Sequence, residues 1–84
     1  MAAMFSDNAK ALIKFLQANP EGQFTADDLA EALGLTTRQI NGTATGTQKK
    51  GITERIEVEG FDKKVIRLTP AGLTVDAEME KPEV

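Results

Sequence analysis

Eighty-four residues, 40% apolar and 27% charged, are enough for one soluble domain with a modest core and little else. The chain has no Cys, His, Tyr or Trp, which excludes disulfides, thiolate zinc sites and the usual nucleophile–base constellations, so neither an enzyme nor a metal or cofactor site is expected. A net charge of −3 argues against nucleic acid when taken alone, yet residues 76–84 carry all of it, and nine basic side chains balance nine acidic ones in the rest.

No apolar run approaches the ~20 residues needed to cross a bilayer, and the start MAAMFSDNAK lacks the basic-then-apolar order of a signal peptide. A cytoplasmic setting without a membrane partner is the expectation. The first helix is read from Ser6, an N-cap with Asp7 favourable in the first turn, and from the stripe Ala9, Leu12, Ile13, Leu16. Phe5, one position before the cap, is placed to staple its entry. Asn19-Pro20 closes it, because a residue preceding proline is pushed out of the α region. Lys10 and Lys14, one turn apart, read as two solvated lysines.

Phe24 adds a short extended piece ahead of the second helix. Thr25 and Asp28 have the capping-box spacing, and Phe24 with Leu29 that of a hydrophobic staple. The helix runs through Leu29, Ala30 and Leu33 to Gly34, which suits the left-handed C-terminal position, and Leu35 follows as a buried turn residue. Thr36 and Gln39 open a third helix, 37–50, with a second capping box. At about 100° per residue, Ala44 and Thr47 lie within about 40° of Ile40 and form its buried side, while Arg38, Asn41, Gly42, Thr45 and Lys49 lie about 100° or more away. That polar face is either plainly solvated or one that reads a DNA groove. Ala30, Gly34 and Ile40 have the spacing of a helix-turn-helix: a small residue for close approach, a glycine for the turn and a branched apolar residue to lock the second helix onto the first.

Beyond Gly51-Ile52 the period changes to two. Ile56 and Val58 alternate with charged residues, as do Ile66 and Leu68 with Val65 and Arg67. Pairing 58 with 66 and 56 with 68 puts apolar opposite apolar and Glu57 opposite Arg67, which predicts a hairpin with a three-residue loop, Phe61 to Lys63. Phe61 is expected to tuck under that loop. Thr69-Pro70 reads as the cap and first residue of a last short helical turn, with Leu73 packing back on the body. From Val75 the chain is acidic and reads as a tail, giving a domain over 1–74 and a tail over 75–84.

The segments LAEALGLTTRQINGTATGTQKKGI, ERIEVEGFDKKVIRLT and LTPAG, in that order, resemble the winged helix-turn-helix superfamily. They look like the DNA-binding heads of bacterial and phage transcription regulators, including the multiple-antibiotic-resistance-type proteins, over roughly residues 7 to 73. The resemblance implies an α+β fold: three helices, a two-stranded β-hairpin wing, a short C-terminal helical turn and the acidic tail. It implies a non-catalytic protein whose helix 37–50 enters the major groove of double-stranded DNA. Arg38 would pair with guanine, Asn41 with adenine and Thr45 with a thymine methyl, with Lys49 at the end of the same face. Gly42 would let the helix backbone approach the groove wall. Lys63 and Lys64 of the wing would contact backbone phosphate, and Thr36, Thr37 and the amides beside them would hold another. The long terminal helices through which such relatives dimerise have no counterpart, so a monomer or a weak dimer is expected, using Phe5, the first helix or the tail. The same fold also serves as a protein-docking module on transcription or replication machinery, and that is the alternative.

Overall fold

Ser6 starts the first helix: in the computed structural model, which describes residues 5–76, its hydroxyl accepts the Ala9 amide at 3.2 Å. Helix α1, Asp7–Ala18, buries Ala9, Leu12, Ile13 and Leu16, and Phe5 folds under it at 2% exposure. Phe5 is therefore part of the core and not of an exposed face. Strand β1, Phe24–Thr25, leads into α2, Ala26–Leu33, through the Thr25–Asp28 capping box. Gly34 ends α2 at φ 70°, a left-handed conformation that glycine adopts without steric cost. The Leu35 amide then reaches the Ala30 carbonyl at 2.9 Å, closing the turn. Leu35 is half-buried rather than buried.

Helix α3, Thr37–Lys49, begins at a reciprocal Thr36–Gln39 capping box and buries Ile40, Ala44 and Thr47. Strands β2, Thr53–Ile56, and β3, Val65–Leu68, follow, and α4, Pro70–Thr74, is the last element among the described residues. The sheet has three antiparallel strands in the order β1-β3-β2. The extended piece at Phe24 therefore pairs with β3, turning the expected two-stranded hairpin into a three-stranded sheet. Ile52, Ile66 and Leu68 close the core over α1, α2 and α3, and the Phe15 and Phe24 rings meet edge to face at 5.0 Å beside it.

The hairpin register differs from the apolar-opposite-apolar pairing. Thr53 faces Leu68, Glu54 faces Arg67, Arg55 faces Ile66 and Ile56 faces Val65, a slip of three residues. The loop accordingly runs over 57–64 rather than 61–63, with a turn inside it where the Phe61 amide meets the Val58 carbonyl at 3.1 Å. Arg67 pairs with Glu54 at 3.3 Å, not with Glu57. The cause lies in polar contacts with α3. The Thr53 hydroxyl stands 2.8 Å from that of Thr47 and 3.3 Å from the Ala44 carbonyl, all buried. The odd slip moves Arg55 onto the same sheet face as Thr53, Ile66 and Leu68. Phe61 is 37% exposed, not tucked, because the longer loop carries it away from the core.

Leu73 does not pack back either: it is 50% exposed, and Gly72 is the buried residue of α4. A methyl group on Gly72 would run into the Ile52 carbonyl oxygen, so the turn sits directly on the strand backbone. Val75 packs against the core instead, and its carbonyl accepts from Gln17 at 2.7 Å. The acidic segment 77–84 lies outside the described residues. Gly72→Ala should cost about 1–3 kcal/mol through overpacking. Leu73→Ala should stay within about 0.5 kcal/mol. Urea unfolding of both variants checks the assignment, and the reverse order would contradict it.

Candidate nucleic-acid interface

The periodicity of α3 carries over into space. Arg38, Asn41, Gly42, Thr45 and Lys49 are all exposed, on the side away from Ile40, Ala44 and Thr47. Apart from the helix's own backbone, no atom lies within 4 Å of where a side chain would begin at Gly42 or Gly46, so the helix surface is bare there. Arg38 and Lys49 stand near the two ends of this strip, and neither forms an ion pair among the described residues.

The start of α3 is more committed than the sequence implied. As the capping box implies, the Thr36 hydroxyl oxygen accepts from the Gln39 amide at 3.0 Å, and the Thr36 amide donates to Gln39 Oε1 at 2.9 Å. The Thr37 hydroxyl donates to Asp27 Oδ1 at 2.7 Å, and the Lys63 ammonium donates to Asp27 Oδ2 at 2.6 Å. One carboxylate in the first turn of α2 thus joins the first residue of α3 to the hairpin loop. The hydrogen bond from Lys63, then that from Thr37, holds the Asp27 carboxyl below the usual carboxylate range, and Asp27 in turn raises the Lys63 ammonium above its usual value. The bridge therefore contributes above about pH 4 and is lost as pH falls through the lowered Asp27 value. At the alkaline end it is lost as pH rises through the raised Lys63 value. Both side chains are more than half exposed, so the pair is screened by solvent.

Lys64 is exposed and has no carboxylate partner among the described residues. Together with Thr37, Asn41, Arg55 and Lys63 it borders a solvent-open cleft of about 230 Å³ between α3 and the hairpin. Arg55 is the residue that sequence reasoning missed. Its guanidinium donates to Gln48 Oε1 at 2.6 Å, to the Asn41 carbonyl at 3.0 Å and to Thr45 Oγ1 at 3.1 Å. Thr45 Oγ1 also donates to the Asn41 carbonyl at 2.9 Å, so the hydroxyl is held at both ends. A cation on β2 thereby fixes the middle of the exposed face of α3.

The helix pair with its hairpin superposes on several solved structures. MepR, a transcription regulator of the Staphylococcus aureus multidrug efflux pump MepA, matches with a TM-score of 0.75 at 23% identity, over 83% of this chain and 51% of that one. The S. aureus MepR–DNA complex matches at 0.74 and 21% identity, over 82% of this chain and 56% of that one. NMB1585, a MarR family regulator from Neisseria meningitidis, matches at 0.67 and 24% identity, over 82% and 48%. The fold is a winged helix-turn-helix. The chain spans about half the length of the structures it matches. No protein-family model and no curated protein matches it by sequence. In the winged fold α3 is the second helix of the helix-turn-helix and the 57–64 loop is the wing tip. No helix among the described residues is long and apolar enough to cross a membrane.

Arg55→Ala should lower stability by about 1 kcal/mol, the usual net worth of such hydrogen bonds at a partly exposed site. It should also shift the amide resonances of Asn41 and Thr45. Arg55→Lys should not restore them, because an ammonium cannot span the three acceptors as the guanidinium fork does. Unchanged Asn41 and Thr45 resonances in Arg55→Ala would show that the arginine does not hold the helix.

Proposed function

We propose that this chain is a small, non-catalytic double-stranded-DNA-binding protein of the transcription-regulator kind. In this reading α3 enters the major groove and the wing lies along the backbone. The observation that carries it is the exposed face of α3: two cations near the ends, hydrogen-bonding Asn41 and Thr45 between them, and bare backbone at Gly42. Arg38 offers a bidentate donor for guanine, Asn41 a donor–acceptor pair for adenine, and Thr45 a methyl and a positioned hydroxyl. Lys49 and Lys64 supply phosphate contacts, and Thr36, Thr37 and Lys63 border the same edge. Known relatives of the fold include a DNA complex, which supports the reading without assigning residues.

Titration with duplex DNA at several salt concentrations tests it. Affinity should fall as salt rises, because each neutralised phosphate releases a counterion. Lys49→Ala should weaken binding to all sequences and make the slope of log affinity against log salt shallower by about 1. Gly42→Ala should stabilise the helix by about 0.5–1 kcal/mol yet weaken DNA binding, since the added methyl stands where the groove wall would approach. No binding at low salt, or a Gly42→Ala variant that binds as well as the parent, counts against groove insertion.

A second reading, docking onto a protein of the transcription or replication machinery, is favoured by one observation. Phe61 stands 37% exposed at the wing tip, where a nucleic-acid backbone offers it no apolar partner. A stable protein partner whose capture is lost in Phe61→Ala and kept in Arg38→Ala would select that reading over the first.

A further inference from the structure

Asp27 engages two of the donors that the DNA-binding reading assigns to phosphate. Its two carboxylate oxygens accept separately from the Thr37 hydroxyl at 2.7 Å and from the Lys63 ammonium at 2.6 Å. These donors come from the first residue of α3 and from the wing, the two elements that flank a docked backbone in the groove-reading pose. A phosphodiester presents the same pair of charged acceptor oxygens. A fixed carboxylate at this edge also repels phosphate, whereas Lys64, the next residue, has no such tether among the described residues. The pair is 61% and 52% exposed on its Lys63 and Asp27 sides, so exchange for another anion requires no unpacking.

We propose that Asp27 competes intramolecularly with DNA phosphate for Lys63 and Thr37, and so holds down the affinity of this surface for arbitrary duplex. The inference rests on the DNA-binding reading above and goes beyond it by assigning a residue of α2, which touches no base, a role in selectivity. Non-specific binding is nearly all phosphate contact, so it loses most when one cation is held in-house. A complex that also gains base contacts from Arg38 and Asn41 has other sources of affinity with which to displace the carboxylate.

The experiment is a double-mutant cycle on the full chain with a random-sequence duplex, read from 50 to 200 mM salt. Asp27→Asn should bind more tightly, with its gain about three-fold larger at 50 mM than at 200 mM, the signature of about one extra released counterion. Glu31→Gln, which removes the same charge one turn further along α2 from a residue that forms no ion pair among the described residues, should give a smaller gain. In a Lys63→Ala background, Asp27→Asn should give no more than Glu31→Gln does. Circular dichroism confirms that each variant is folded. An Asp27→Asn gain that without Lys63 still exceeds that of Glu31→Gln, or no gain at all while the parent protein binds DNA, overturns the competition and leaves the DNA reading standing. Absence of DNA binding by every variant overturns both.

Discussion

The hydroxyls of Thr47 and Thr53 face one another at 2.8 Å where neither residue is more than 2% exposed. A buried hydroxyl without a partner costs free energy on the order of 1–3 kcal/mol, so its proton must be placed. Here the count closes. One hydroxyl donates to the other, and the second donates to a carbonyl of α3, either Ala44 from Thr53 or Thr43 and Ala44 from Thr47. Both arrangements use both protons. The junction admits one partner on β2 and no neighbour of it: Ile52 has no hydroxyl to offer, and Glu54 would bring a charge into the core. The pair therefore acts as a register pin, and the rest of the wing is built outward from it.

Three consequences run from the pin. The backbone leaves α3 by a tight turn, with the Ile52 amide on the Thr47 carbonyl at 3.0 Å, so β2 begins as soon as the helix ends. Arg55, two residues beyond Thr53, is forced onto the same face and meets Asn41, Thr45 and Gln48. Thr69 is then drawn to the other side of the turn, where its hydroxyl and amide bond the Gly51 and Ile52 carbonyls and seat α4. At the far end Asp27 ties the loop back to Thr37. The wing is thus attached to α3 near both its ends, by a buried contact at one and a solvent-exposed one at the other.

This arrangement also explains which features were legible beforehand. The stripe of α1, both capping boxes and the Gly34 turn depend on neighbours within a few residues, and such chemistry repeats wherever the spacing recurs. The outward face of α3 follows from helical period alone, so Arg38, Asn41, Gly42, Thr45 and Lys49 were readable. The hairpin register was not. Ile56, Val58, Ile66 and Leu68 offer an apolar pairing that satisfies every local rule, and it is overruled by two threonines on different elements. Arg55 was hidden by the same slip, since the rejected register sends it to solvent beside Glu57. The engagement of Lys63 by Asp27 spans 36 positions and leaves no periodic trace. At α4 the general preference for leucine as the core residue gives way to Gly72, because the available space lies against the Ile52 carbonyl and admits no side chain.

Threonine at a buried helix position and glycine at exposed ones make α3 a poor helix by propensity, with Gly42 and Gly46 each costing roughly 1 kcal/mol relative to alanine. A short helix of that composition does not persist without tertiary contacts. The threonine has an internal reason, the pin to β2. The glycines have none: open space surrounds both positions, and neither adopts a left-handed conformation that would demand the residue. Packing within the chain would be served equally by alanine. A bare backbone strip beside Asn41 and Thr45 fits the close approach that the proposed DNA-binding reading calls for. The buried pin and the Arg55 fork are what let such a helix keep its shape while carrying that cost.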